Sequence, residues 1–197
     1  MLQGIVLAAG ASQRMGRPKA RLPLGTGGDT FAGRVVRTLL DAGLPRVVIV
    51  TGAERLEAGR GGVPRDRRVR LVHHGGWAEG QLSSLLAGLD AVEEPATEAV
   101  LVTLVDVPLV RPSTVRTLVS AWRATRAPVV RPVHGARHGH PVIFDRAVFA
   151  SLRAADPARG AKAVVEAHRG AIVEVEVDDA GAFRDFDRPE DLAGLES

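Results

Sequence analysis

Two groups of residues in this 197-residue chain have the types and spacing to handle a phosphate chain. The first is the run Leu7-Ala8-Ala9-Gly10-Ala11-Ser12-Gln13-Arg14-Met15-Gly16-Arg17-Pro18-Lys19. Small residues at Ala8, Ala9, Gly10 and Gly16 let the backbone approach a ligand and turn several N–H groups toward one anion. Arg14 and Lys19 add fixed positive charge beside those donors. The run matches neither G-x-x-x-x-G-K-S/T nor G-x-G-x-x-G, so the joint spacing of Gly10, Arg14, Gly16 and Lys19 is what points to a nucleotide-phosphate loop. The second group is acidic: Asp106, and Asp185 with Asp187 near the C-terminus. A triphosphate needs its charge neutralised, and a hard cation on carboxylate oxygen does this while leaving room for water and phosphate oxygens. Asp106 is the natural Mg²⁺ ligand, with Asp185 or Asp187 as the available second.

These groups depend on the elements that carry them. Gly4 to Leu7 reads as a short buried strand, so the basic loop leaves a strand's C-terminal end, where open α/β sheets bind ligands. Ala99 to Val105 reads as the clearest central strand; Asp106 ends it, and Pro108 fixes the turn that follows. Between them the spacing predicts a helix over Phe31 to Asp41, a strand over Arg46 to Thr51, and a short helix plus exposed loop over 54 to 68. A strand over Val69 to His73 and a helix over Gln81 to Val92 follow, joined by the turn Gly75 to Gly80. Further on come a helix over Ser113 to Arg123 capped by Ser113 or Thr114, a strand over Pro128 to Val133, and a loop over Gly135 to Pro141. A short return strand over Val142 to Phe144 precedes helices over Asp145 to Ala154 and Ala161 to Arg169, then a half-exposed strand over Ile172 to Val177. The alternation predicts a three-layer α/β architecture with a mostly parallel sheet and one antiparallel strand.

Composition narrows the partners. With 45% hydrophobic residues and no visible linker, residues 1–197 are expected to form one domain. The absence of cysteine excludes disulfides and thiolate metal sites. No secretory segment and no apolar run of roughly 20 residues is visible, so a soluble cytoplasmic protein is expected. Lys and Arg number 26 against 23 Asp and Glu, and aromatic residues are only 4%, which argues against nucleic acid and for an anionic small molecule.

The loop, with Leu22-Pro23 after it, resembles the signature of the nucleotidyltransferases of sugar phosphates and cofactors. Trp77-Ala78-Glu79-Gly80-Gln81-Leu82-Ser83-Ser84-Leu85 with Gly88, Asp106-Val107-Pro108, Gly139-His140-Pro141 and Asp185-Phe186-Asp187-Arg188-Pro189-Glu190-Asp191-Leu192 are similar, in order, to the molybdenum cofactor cytidylyltransferase family. The resemblance implies the Rossmann-like nucleotide-diphospho-sugar transferase fold. It also implies a Mg²⁺-dependent reaction in which the terminal phosphate of molybdopterin attacks the α-phosphorus of a nucleoside triphosphate and pyrophosphate leaves. By the same resemblance, Leu7, Ala8, Ala9, Gly10, Ser12, Arg14, Gly16, Lys19 and Gly80 bind the nucleotide. Arg14 lies on the outer phosphates, Lys19 stabilises charge near the α-phosphate, and Asp106 with Asp187 holds the metal. The attacking phosphate is already an anion, so no general base is required. Ser83 or Ser84 contacts base or ribose, or else caps the helix, and His140 lies on the pterin side or is structural. Guanylyl-transferring relatives carry Leu-Ala-Gly-Gly where this chain has Leu7-Ala8-Ala9-Gly10; the methyl of Ala9 favours CTP over a purine nucleotide. Arg188 departs from the family's threonine. Guanylyl transfer, transfer to another phosphorylated small molecule, and a non-catalytic carrier that delivers cofactor to a molybdoenzyme or its chaperone are the rival readings.

Overall fold

Strand β1 (Leu2–Ala8) is buried along its whole length and divides its side chains between two cores. Leu2, Val6 and Ala8 face one side of the sheet, Ile5 and Leu7 the other. A strand apolar on both faces must be covered on both, which is the physical origin of the three layers. The computed structural model describes residues 1–25, 28–60, 62–193 and 195.

After β1 come α1 (Phe31–Asp41), β2 (Val47–Thr51), β3 (Val69–His73), α2 (Gln81–Val92), β4 (Ala99–Leu104) and α3 (Pro112–Thr125). The chain then forms β5 (Val129–His134), β6 (Val142–Asp145), α4 (Phe149–Arg153), α5 (Ala161–Ala167) and β7 (Ile172–Glu176). The strand order is β7-β5-β6-β4-β1-β2-β3, and β6 alone of these seven runs antiparallel to its neighbours. A two-residue strand, Arg137–His138, also pairs antiparallel with β5. Helices α1 and α3 cover one face; α2, α4 and α5 cover the other. Phe31, Leu39, Leu118 and Trp122 are almost fully buried on the first face, each contributing on the order of 2 kcal/mol.

Register places the functional loops together. Leu7 pairs with Val50 of β2 and with Leu104 of β4, so these three strands end level and the loops that follow open into one crevice. Helix α2 lies tight over β1 and β2 because residue 88 is glycine: a Cβ there would be 2.6 Å from the Ile5 Cγ2. The N-terminus of α2 is thereby held above the loop after β1.

Three expectations fail locally. Among the described residues, 54 to 68 form turns and no helix, because Gly59 and Gly62 adopt positive φ and Pro64 follows. Helix α3 starts at Pro112, and neither Ser113 nor Thr114 caps it. Instead Asp179, from far along the chain, accepts from the Arg111 N–H at 2.9 Å and the Thr114 hydroxyl at 2.6 Å. The first part of the helix expected over Asp145 to Ala154 is a 3₁₀ turn, Arg146–Val148, started by Asp145, whose side chain accepts from the Ala147 N–H.

Candidate active site

The loop after β1 is braced from within. Ser12 takes a left-handed conformation (φ 53°), its carbonyl accepts from the Met15 and Gly16 N–H groups, and its hydroxyl accepts from the Lys19 N–H at 3.1 Å. This curl brings the Lys19 side chain, only 11% exposed, back over the crevice. The Lys19 Nζ stands 3.0 Å from Asp106 Oδ2 and 2.5 Å from Asp187 Oδ1, and Arg14 Nη1 lies 2.9 Å from Asp187 Oδ2. Burial works to lower the Lys19 ammonium pKa, but the Asp187 hydrogen bond and the Asp106 charge outweigh it and raise the group above its ordinary value. The hydrogen bond from Lys19 holds the Asp187 carboxyl below its usual range.

Asp187 arrives there because the tail is anchored. Phe186 is fully buried, meets Phe31 edge-to-face at 5.4 Å, and donates its backbone N–H to the Asp106 carbonyl at 3.0 Å. Asp191 Oδ2 then accepts from the Asp187 and Arg188 N–H groups, both at 2.8 Å, fixing the turn after the carboxylate. Asp185 is exposed and makes no contact with Lys19 among the described hydrogen bonds, whereas Asp187 does.

A cavity of about 330 Å³ adjoins this cluster, lined by Leu7 to Gly10, Ser12, Lys19, Trp77, Ala78, Gly80, Gln81, Ser84 and Asp106 among others. A second hollow, lined by residues 11 to 14, Lys19, Trp77 and Asp187, shares Ser12, Lys19 and Trp77 with it, so the two form one crevice. A Cβ on Gly10 would meet nothing within 4 Å, which leaves its backbone open to a ligand. Ala9 and Ser84 are buried and line the cavity. Ser83 does not: its hydroxyl donates to the Gly80 carbonyl at 2.8 Å, lies 3.2 Å from the Gly76 carbonyl, and stands 3.1 Å from His74 Nε2. Gly16 supports the loop turn and lines neither hollow.

Three participants were not picked out as site residues in the sequence. Trp77 walls both hollows, Gln81 stands at the start of α2, and Asp191 orders the tail. Trp77 and Gln81 lie inside a recognisable motif, but nothing in their types alone announced a wall.

The chain's match to the family model described as the MobA-like NTP transferase domain covers residues 4–172. This chain belongs to that family. Proteins named probable molybdenum cofactor guanylyltransferase are 37% identical over 134 residues in Opitutus terrae and 33% identical over 168 in Mycolicibacterium paratuberculosis. The second match covers 84% of this chain and 81% of the relative; the first covers 68% and 62%, so the chain spans less than two thirds of the Opitutus protein's length. The molybdenum cofactor cytidylyltransferase of Escherichia coli is 26% identical over 194 residues, 95% of this chain and 92% of that one. A Paenarthrobacter nicotinovorans protein named nicotine blue oxidoreductase is 37% identical over 154 residues, 72% and 70% of the two chains. Among solved structures, Rv0371c of Mycobacterium tuberculosis superposes with a TM-score of 0.80 at 27% identity, covering 98% of this chain and 96% of that one. The same protein has been solved in complex with manganese, with a TM-score of 0.73 at 25% identity and coverage of 98% and 97%. The expected fold, a three-layer α/β sheet with an antiparallel strand, is therefore correct and is shared with these neighbours.

Proposed function

We propose that this chain is a nucleotidyltransferase that joins the nucleotidyl group of CTP to the terminal phosphate of a molybdopterin-type acceptor. An acceptor phosphate oxygen bonds to the α-phosphorus, the bond from that phosphorus to the oxygen bridging the α- and β-phosphates breaks, and pyrophosphate departs with the electron pair. The observation that carries the reading is the convergence of Lys19, Asp106 and Asp187 at the mouth of a cavity made by small residues.

Charge supports a divalent cation in the reaction. Within this cluster Arg14 and Lys19 are balanced by Asp106 and Asp187, so these four residues alone offer no surplus positive charge to a triphosphate carrying roughly four negative charges. Asp106 Oδ1 is buried with no hydrogen-bond partner, and both carboxylates already reach one cationic atom. That donor set suits Mg²⁺ or Mn²⁺, whose other ligands would be water and phosphate oxygens. Bound there, such an ion neutralises phosphate charge as a Lewis acid. The manganese complex of the Mycobacterium tuberculosis neighbour is in keeping with this.

The chain's own residues do the rest. The loop from Gly10 to Gly16 cradles the phosphates and Arg14, 72% exposed, swings to the outer ones. Lys19 exchanges its carboxylate partners for the α-phosphate, where charge grows in the transition state. Catalysis comes from positioning and neutralisation, with no proton to remove from the attacking phosphate.

Ala9 supports CTP: its methyl is buried on the cavity wall, at the position where the resemblance implies glycine in guanylyl-transferring members. The names of the relatives at higher identity favour GTP as a second reading. Pyrophosphate release with each nucleoside triphosphate, Mg²⁺ and molybdopterin tests both. CTP should turn over fastest in the wild type, and Ala9→Gly should shift the CTP/GTP ratio of kcat/KM toward GTP by about tenfold. Faster turnover of GTP by the wild type would reject the cytidylyl assignment.

A further inference from the structure

Trp77 walls both hollows of the crevice, yet the turn that carries it, Gly75 to Gly80, has little stiffness of its own, because three of its six residues are glycine. Its position is set from outside. The His74 backbone N–H donates to the Thr51 carbonyl at 2.8 Å, which ties the residue to the end of β2. The imidazole reaches across to the first turn of α2, where Nε2 stands 3.1 Å from the Ser83 hydroxyl. That hydroxyl lies 2.8 Å from the Gly80 carbonyl and 3.2 Å from the Gly76 carbonyl, which flank Trp77 on either side. The ring also lies against the turn itself: a Cβ on Gly76 would fall 3.0 Å from the His74 Cε1.

Counting protons fixes the direction of these bonds. A hydroxyl has one proton to give, and a carbonyl has none. With Ser83 donating to the Gly80 carbonyl, its contact with His74 is a hydrogen bond only if Nε2 carries a proton and donates to Ser83 Oγ. The network therefore assigns the Nε2–H form of the imidazole. Trp77 has no slack on its other side. A Cβ on Gly52 would be 2.5 Å from the Trp77 Cβ and 2.6 Å from the Ala9 carbonyl oxygen, so Trp77 sits directly on the backbone beside Ala9. Any outward drift of the turn opens the crevice at this wall.

We propose that His74 is a positioning residue for nucleotide binding: its Nε2–H, bonded to Ser83, clamps the Trp77 turn between β2 and α2 and so fixes the wall against which the nucleotide packs. The inference rests on the nucleotidyltransferase reading and adds to it a residue that itself lines neither hollow. A wall of this kind meets the nucleotide equally before and during transfer, so loosening it raises KM and leaves kcat nearly unchanged. Glutamine carries an amide N–H that can reach where Nε2 stands, whereas alanine has no donor.

Calorimetric binding of CTP and of GTP to the full chain with Mg²⁺, beside acrylamide quenching of tryptophan emission, tests the clamp. Trp122, the other tryptophan, is 2% exposed, so the quenching reports on Trp77. His74→Ala and Ser83→Ala should each weaken the nucleotide that the wild type binds by about threefold to tenfold, the worth of one hydrogen bond. In His74→Ala the loss should appear in KM, with kcat within about twofold of wild type. Quenching of Trp77 should rise in both variants. His74→Gln should return affinity to within about twofold of wild type and bring the quenching back with it. The double variant should bind no more than about twofold more weakly than either single one, because both remove the same bond. Wild-type affinity in His74→Ala, a His74→Gln variant no better than His74→Ala, or losses that multiply in the double variant would each overturn the clamp. Failure of the wild type to bind either nucleotide overturns the nucleotidyltransferase reading instead, and the quenching series still decides whether His74 holds Trp77.

Discussion

Lys19 holds two carboxylates together, and on the proposed reading it would turn to a phosphate once another cation took its place between them. Replacing it with alanine removes the one buried ammonium that touches both Asp106 and Asp187, so Lys19→Ala should lower kcat/KM for pyrophosphate release by about 10²- to 10³-fold. Circular dichroism of that variant should match wild type. Asp187 gives a pH signature. Its carboxyl is held below the ordinary value in the folded chain, so its stabilising contribution is present above about pH 4 and is lost as pH falls through the lower folded value. Because the group is partly exposed, that contribution should not exceed about 1 kcal/mol. Thermal unfolding should show Asp187→Asn less stable than wild type at pH 7, with the difference closing below about pH 4; a gap that widens in acid would contradict the assignment.

At the scale of elements, the tail is the part whose role depends most on tertiary packing. Phe186 seats it against Phe31 at the start of α1, and Phe186→Ala should destabilise the chain by about 3 kcal/mol while weakening metal-dependent turnover through displacement of Asp187. Urea unfolding together with pyrophosphate release checks both effects. The layers were legible because periodicity is local: β1, α1, β3 and α2 follow from the spacing of Ile5, Val35, Leu71 and Leu85 and their neighbours. The N-terminus of α3 was not, because its partner Asp179 lies 65 residues beyond Thr114 and no local pattern encodes that meeting. Glycine and proline were likewise misjudged over 54 to 68, where positive φ at Gly59 and Gly62 overrides a few helix-compatible residues. In the cluster, residue types pointed to Arg14, Lys19 and Asp106, and family resemblance pointed to Asp187 over Asp185. That Asp187 is the one to meet Lys19 follows from the burial of Phe186 between the two, which appears only in three dimensions. Ser83 shows the opposite case, a residue in the right motif whose hydroxyl is spent on its own turn.

For the whole molecule, the strand ends of β1, β2 and β4 lie level, and the crevice above them gathers residues from the two ends of the chain. Among the described residues no helix is long and apolar enough to cross a membrane. Arg14 and Lys19 are matched by Asp106 and Asp187 within the cluster, so on the proposed reading triphosphate binding should weaken when divalent cation is removed. The most direct measurement of the central claim follows the two ends of one substrate. Wild-type chain is incubated with Mg²⁺, molybdopterin and CTP labelled with ³²P at either the α- or the γ-position. The account predicts that α-label moves onto the acceptor, that γ-label leaves as pyrophosphate, and that neither moves when Mg²⁺ is chelated. Label appearing as free CMP, or γ-label on the acceptor or in orthophosphate, would contradict it.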